Sequence, residues 1–254
     1  MNSKDIIGIV GGMGPHTGLD LARKIFDQTD TKESHEHLSI AVHSFPSMFS
    51  DRSEFLLGKT KTNPAFAIAE VINKLEEVGA KIVGIPCNTA HAPKIFDVIL
   101  NELHKKNSNV QIVHMIKEVG VFLHENYPHI NKVGLLATRG TYETNIYPKF
   151  LKEQDIEVQL LDESTQNAVH DIIYNPVDGI KADLTTAKKS AEKKILNIMN
   201  DLKASGAQAI ILGCTEIPLV FTEKKIGNTI IIDPALILAR SLIKMVNPNK
   251  LKHY

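Results

Sequence analysis

The chain has 254 residues with 29 basic and 29 acidic side chains, so its formal net charge is zero; 43% of it is apolar and 23% charged. That balance excludes a disordered chain, and with no basic stripe in the sequence nucleic acid is not expected as a partner. No apolar run reaches the length of a bilayer span and a strand-like segment begins within five residues of the N-terminus, so neither membrane nor secretory signal is expected and the expected compartment is the reducing cytoplasm.

In chain order, short β-branched runs alternate with longer stretches of helical period, the pattern of parallel strands joined by crossover helices. Strands are expected over residues 6–10, 38–42, 81–85, 110–114, 132–136, 157–161, 209–212 and 229–232. Before the third strand, Ile68, Val71, Ile72, Leu75 and Val78 form one apolar helical stripe. After the sixth, Leu184, Ala187, Ala191, Ile195, Ile198 and Leu202 form another, with Asp183 placed to cap its first turn. The run from Lys188 to Lys194 reads as the solvated face of that helix. A last helix is expected over 235–246. The fold class is α/β, arranged as two pseudosymmetric Rossmann-like domains with parallel sheets. Residues 1–115 plus 234–254 form the first, residues 116–233 the second, and the active site is expected in the interdomain cleft.

Two domains are expected because the sequence repeats itself. Gly79-Ala80-Lys81-Ile82-Val83-Gly84-Ile85-Pro86-Cys87-Asn88-Thr89 matches Gly206-Ala207-Gln208-Ala209-Ile210-Ile211-Leu212-Gly213-Cys214-Thr215-Glu216, so each of the two cysteines follows a Gly-Ala pair by the same count. Ile7-Gly8-Ile9-Val10 before Gly11-Gly12-Met13-Gly14 similarly echoes Val133-Gly134-Leu135-Leu136 before Ala137-Thr138-Arg139-Gly140. Both cysteines therefore fall at carboxyl ends of parallel strands, where ligands of such sheets gather. A helix starting just after each thiol would aim its amides and positive dipole end at the sulfur and favour thiolate. A single buried cysteine is more often a small apolar core residue; two at matched repeat positions weaken that reading.

Paired thiols have few uses. One can remove a proton from a carbon while the other returns one to the opposite face, which is a two-base racemase or epimerase. A redox disulfide or a metal site is the rival, but the sequence has neither a Cys-x-x-Cys spacing nor a His-rich cluster, so no metal is expected. The turn Gly11-Gly12-Met13-Gly14-Pro15-His16-Thr17-Gly18 invites a dinucleotide reading. Counted from Gly12, however, Thr17 stands where the third glycine belongs, and the second strand ends in Val42-His43 without a ribose-binding acid. The dinucleotide reading therefore fails, and the glycines are read as a tight turn for close backbone approach to a small substrate. Pro15 suits a first helical turn, and Thr17 reads as a helix-face or loop residue. Asn88 and Thr89 after Cys87, and Thr215 after Cys214, can bind a carboxylate through amides and side chains. Thr138 and Thr141 occupy the equivalent loop of the second half, where ordinary capping is the competing use of their hydroxyls.

The segments Gly11-Gly12-Met13-Gly14-Pro15, Pro86-Cys87-Asn88-Thr89-Ala90-His91 and Gly213-Cys214-Thr215-Glu216-Ile217-Pro218 resemble the signature of the aspartate/glutamate racemase family, in its aspartate racemase branch, and the likeness runs in order along essentially the whole chain. The resemblance implies a cofactor-independent amino-acid racemase, an isomerase usually found as a homodimer, with Cys87 and Cys214 as the two catalytic acid/bases. Cys214 would then act on the L-enantiomer and Cys87 on the D-enantiomer. It further implies that Met13 lines the substrate with its backbone, that Arg52 grips the side-chain carboxylate, and that Lys181 faces the substrate. Taken alone, both cations read as surface charges. His91, one helical turn past Cys87, can polarise the thiol or shape the pocket, although a lone histidine is more often structural. Glu216 departs from the cell-wall glutamate racemases, which have histidine there and an Asp-Ser pair at the glycine turn. Aspartate is therefore the expected substrate, with glutamate or broad amino-acid specificity as the alternative and a decarboxylase or isomerase of small dicarboxylates more distant. A non-catalytic bilobal binding protein for an acidic metabolite is the alternative of another class.

Overall fold

A computed structural model describes residues 6–254. The chain divides into two compact units, one made of the residues up to Glu118 together with Ala235–Tyr254, the other of Val119–Pro234. In the first, β1 (Ile6–Gly11), α1 (Pro15–Gln28), β2 (Ile40–Ser44), α2 (Arg52–Leu56), α3 (Ala65–Glu77), β3 (Ala80–Gly84), α4 (Pro93–Lys105) and β4 (Gln111–Val113) follow in order, and α5 (Met115–Asn126) carries the chain into the second. The strands pair in parallel in the order β2-β1-β3-β4. Side chains alternate across this sheet. Ile7, Ile9 and Ile82 cluster with Leu21 and Ile25 of α1; Val10 and Val83 cluster with Ile68, Ile72 and Leu75 of α3 and with Ile95 and Ile99 of α4.

The second unit runs β5 (Lys132–Ala137), α6 (Arg139–Glu143), α7 (Ile146–Lys152), β6 (Glu157–Gln159), α8 (Glu163–Tyr174), α9 (Leu184–Ala204), β7 (Ala209–Gly213), α10 (Ile217–Val220), β8 (Lys225–Ile226) and β9 (Thr229–Ile232). Its sheet order is β6-β5-β7-β9-β8, so its four parallel strands repeat the order of the first sheet. Leu136, Ile210 and Leu212 meet Ala191, Ile195 and Leu202 of α9 on one face. The carboxylate of Asp183 accepts the amides of Thr185 and Thr186 and caps α9. The last helix, α11 (Pro234–Val246), belongs to the first unit's core, where Leu238, Ala239, Leu242 and Ile243 join Ile7 and Ile9.

Where the elements depart from expectation, the causes are local. Val78 lies beyond the end of α3 and is 49% exposed, because Gly79 takes a positive φ and turns the chain before the stripe completes. The edge strands β4 and β6 span three residues each rather than the expected five. β8 was not expected. It pairs antiparallel with β9 through Gly227 and Asn228, which makes the second sheet parallel except at this edge.

This topology creates two equivalent places. In each sheet the first strand has the second on one side and the third on the other, so the connections diverge and leave a crevice at the carboxyl ends. In the first unit Ile9 pairs with Gly84, so Gly12 and Cys87 each stand three residues past a paired position. In the second Ala137 pairs with Gly213, so Thr138 and Cys214 leave neighbouring strands together.

Candidate active site

In the first unit, Gly12 has φ +102°, and a Cβ there would lie 3.0 Å from the main-chain nitrogens of Phe45 and Pro46. The close approach that demands glycine is therefore to the chain's own loop after β2. Gly18 meets the other glycine requirement of this turn. A Cβ on it would lie 2.8 Å from the Cα of Gly11, so its bareness lets α1 pack onto the end of β1, the role the dinucleotide pattern gives to a glycine one position earlier. Pro15 stands at the start of α1, and the buried Thr17 donates its hydroxyl to the Gly14 carbonyl. The Met13 side chain is buried in the same apolar cluster as Cys87.

Cys87 is 6% exposed and stands at the head of a four-residue 3₁₀ turn, Asn88–His91, whose residues are all buried. α4 begins only at Pro93. After Cys214, which is 9% exposed, α10 is four residues long. The expectation of a helix dipole aimed at each sulfur is therefore corrected. Single turns supply amide donors but not the aligned peptide dipoles of a long helix.

Arg52 is no surface charge. It opens α2, is 6% exposed, and donates from Nη1 to the Ser50 carbonyl at 3.1 Å. Asp51 caps the helix by accepting the Glu54 amide, and α2 packs against the Asn88–His91 turn. The fold thus brings Met13, Arg52, Asn88 and Thr89 to the carboxyl-end side of one sheet with Cys87.

His91 does not act on the thiol through a ring nitrogen. Its Nδ1 lies 2.9 Å from the carbonyl oxygen of Cys87. Because a carbonyl only accepts, Nδ1 carries the proton. Burial pushes the ring's pKa down to about 4, with main-chain groups of Cys87 and Val113 opposing in part, so the imidazole is neutral at physiological pH.

In the second unit Thr138, Thr141, Thr215 and Glu216 are buried. The hydroxyls of Thr138 and Thr141 are 3.3 Å apart and hydrogen-bond each other, and Thr138 heads the short helix α6. Lys181 is half-buried on the loop between α8 and α9, its ammonium 4.0 Å from the centroid of the Tyr174 ring, a cation–π contact. The position is thus more enclosed than a free surface lysine, and it is on a different loop from Cys214. Sequence reasoning missed Tyr147. It is fully buried on α7, and burial pushes its phenol well above the usual range, with Asp233 and Cys214 adding to the shift through their charge. The Tyr147 hydroxyl therefore stands within electrostatic reach of Cys214. Only the tertiary packing of α7 reveals this, and no local motif announces it.

Among the described residues, no group of three or more His, Cys, Asp or Glu side chains is arranged to hold a metal ion, and no helix is long and apolar enough to cross a membrane. Each unit instead presents one buried free thiol among hydroxyls and turn amides. That arrangement can exchange a proton with a small bound molecule and hold its carboxylate.

Residues 10–242 match the family described as Asp/Glu/hydantoin racemase. Among solved structures, the aspartate racemase of Picrophilus torridus superimposes with a TM-score of 0.80 at 28% identity, over 98% of this chain and 96% of that one. The broad specificity amino-acid racemase RacX of Bacillus subtilis is 26% identical over 243 residues, 94% of this chain and 96% of its own length. Glutamate racemase 3 of Caldanaerobacter subterraneus is 26% identical over 190 residues; the match takes in 71% of this chain and only 63% of that relative's length.

Proposed function

Because the chain belongs to the Asp/Glu/hydantoin racemase family, we propose that it is an amino-acid racemase without pyridoxal phosphate, interconverting L- and D-aspartate by a two-base mechanism. The observation that carries the reading is the repetition of one buried thiol at the carboxyl end of the third strand of each parallel sheet. A receptor for an acidic metabolite needs neither thiol. A racemase needs both.

In the proposed reaction the thiolate of one cysteine takes the α-proton and becomes a thiol. The carbanion keeps the electron pair of the broken C–H bond and takes a proton on its opposite face from the other cysteine, which is left as thiolate. The reverse reaction exchanges the roles, Cys214 serving the L-enantiomer and Cys87 the D-enantiomer. Asn88, Thr89, Thr138 and Thr215 hold the α-carboxylate with side chains and amides. The Met13 backbone lines the substrate, and Arg52 and Lys181 take the side-chain carboxylate. Such donors stabilise the charge that develops as the proton leaves. A homodimer in the cytoplasm, with residues 1–115 plus 234–254 and 116–233 as its two domains, completes the reading.

A second reading, racemisation of glutamate or of several amino acids, is favoured by the likeness to a broad specificity racemase along nearly the whole of both chains. Chiral chromatography of L-aspartate, L-glutamate and neutral amino acids incubated with the protein separates the two. Cys87→Ser and Cys214→Ser are each expected to abolish racemisation, and full activity in either variant contradicts the two-base mechanism.

A further inference from the structure

His91 is a buried, nucleophilic group that the proposed chemistry leaves unused. Its surroundings are built rather than incidental. The ring stacks on Phe96 of α4 with centroids 5.3 Å apart and planes 20° from parallel. The ring of His114, which follows β4, meets His91 edge-on at 4.8 Å and meets Phe96 at the same distance. Held by these two rings, the His91 ring turns Nδ1 to the carbonyl of Cys87 at 2.9 Å, while the main chain of Val113 also acts on the ring. That carbonyl also accepts the Ala90 amide at 3.2 Å, so both of its lone-pair directions are occupied and the peptide plane between Cys87 and Asn88 is fixed from two sides. This peptide is trans. In a planar trans peptide the Asn88 N–H points away from the Cys87 carbonyl, so clamping one sets the direction of the other.

We infer that His91 is the positioning residue of the Cys87 half of the site: its ring N–H clamps the Cys87 carbonyl, and so orients the Cys87 thiol and aims the Asn88 amide at the bound carboxylate. The inference rests on the proposed reading for the carboxylate and stands on geometry alone for the clamp. With its ring neutral, His91 works through direction and leaves the thiol's charge to other groups. Of the neighbouring titratable groups, His114 is itself held unprotonated by burial and by the charge of His91 and Lys117.

Two substitutions separate a clamp from a packing role. His91→Phe keeps a ring between Phe96 and His114 and removes the donor. His91→Asn discards the ring but keeps an N–H at the position of Nδ1. A clamp predicts that His91→Phe lowers kcat for aspartate by about tenfold to a hundredfold, the cost of a misplaced reacting group, and that His91→Asn restores most of it even where its melting temperature is lower. A packing role predicts the reverse order, and that result overturns the inference. Should His91→Phe not fold, His91→Gln, whose donor is displaced by one methylene, provides the comparison. The second arm needs no turnover. In a Cys214→Ser background the sole thiol is Cys87, and its alkylation by iodoacetamide should change severalfold with His91→Phe and return toward the parent rate with His91→Asn. Equal rates in all three overturn the clamp. If the unmodified protein racemises no amino acid, the proposed function falls, while the alkylation arm still decides the role of His91.

Discussion

Arg52 is the residue on which substrate choice turns. In the proposed complex a dicarboxylate's distal group accepts a bidentate pair from the buried Arg52 guanidinium, whose Nη1 also bonds the Ser50 carbonyl. Arg52→Ala should therefore raise KM for aspartate by about tenfold or more and leave any turnover of neutral amino acids nearly unchanged. Arg52→Lys should recover little, since an ammonium lacks the planar fork. Steady-state kinetics on one acidic and one neutral substrate make the comparison, and equal losses on both would remove the reason for favouring aspartate. At this scale the sequence was informative where a residue's role attaches to a local motif. Cys87 and Cys214 announce themselves by the repeat, and Arg52 only through the family resemblance of its segment. The spacing from Cys87 marks His91 but not its role, and nothing local marks Tyr147, because what each does depends on groups from other segments: Phe96 and His114 for the one, Asp233 and the Cys214 turn for the other.

At the scale of elements, the contact between α1 and the end of β1 rests on Gly18. The atom that a Cβ would meet at 2.8 Å is the Cα of Gly11, main chain at the middle of the sheet, with no rotamer to yield. Gly18→Ala is expected to destabilise the protein by about 1–3 kcal/mol, the usual cost of overpacking, against the few tenths to 1 kcal/mol that alanine normally gains over glycine in a helix. A urea unfolding curve for the variant reads the sign directly, and a stabilised variant would contradict the close approach. Periodicity found most of the elements for a physical reason. The central strands are buried on both faces and read as unbroken apolar runs, and α3 and α9 show clear stripes. Edge pieces carry less signal, and β4 and β6 are shorter than their apolar runs suggest. The hairpin of β8 and β9 has its sequence signal in the two-residue turn Gly227-Asn228, but with two residues in β8 it shows no alternation of its own. A helix is expected directly after each thiol because a helix ordinarily follows each strand of a parallel α/β sheet; here a 3₁₀ turn follows Cys87 and a four-residue helix follows Cys214.

For the molecule as a whole, the buried histidines make stability depend on pH. Burial holds His91 to about 4 and His114 to about 3, the latter with help from the charge of His91 and Lys117, whereas an exposed histidine titrates near 6.5. Between pH 6.5 and 4 the unfolded chain thus binds protons that the folded chain refuses, and stability rises with pH through that window. At pH 5 the refusal costs about 2 kcal/mol for a fully buried histidine. The urea midpoint should fall from pH 7 to pH 5, and less steeply in His91→Asn, which removes one of the two groups; identical slopes would contradict the burial of a neutral ring. Two sheets with the same strand order, each ending its third strand in a buried thiol, are the molecular basis for proposing a reaction that works on both faces of one carbon. The most direct measurement is to incubate L-aspartate with the protein in deuterated water, without added pyridoxal phosphate, and to follow chirality and α-hydrogen content together. The account predicts D-aspartate carrying deuterium at the α-carbon and a mixture that approaches equal amounts of the two enantiomers. L-aspartate recovered with its configuration and its α-proton intact would contradict it.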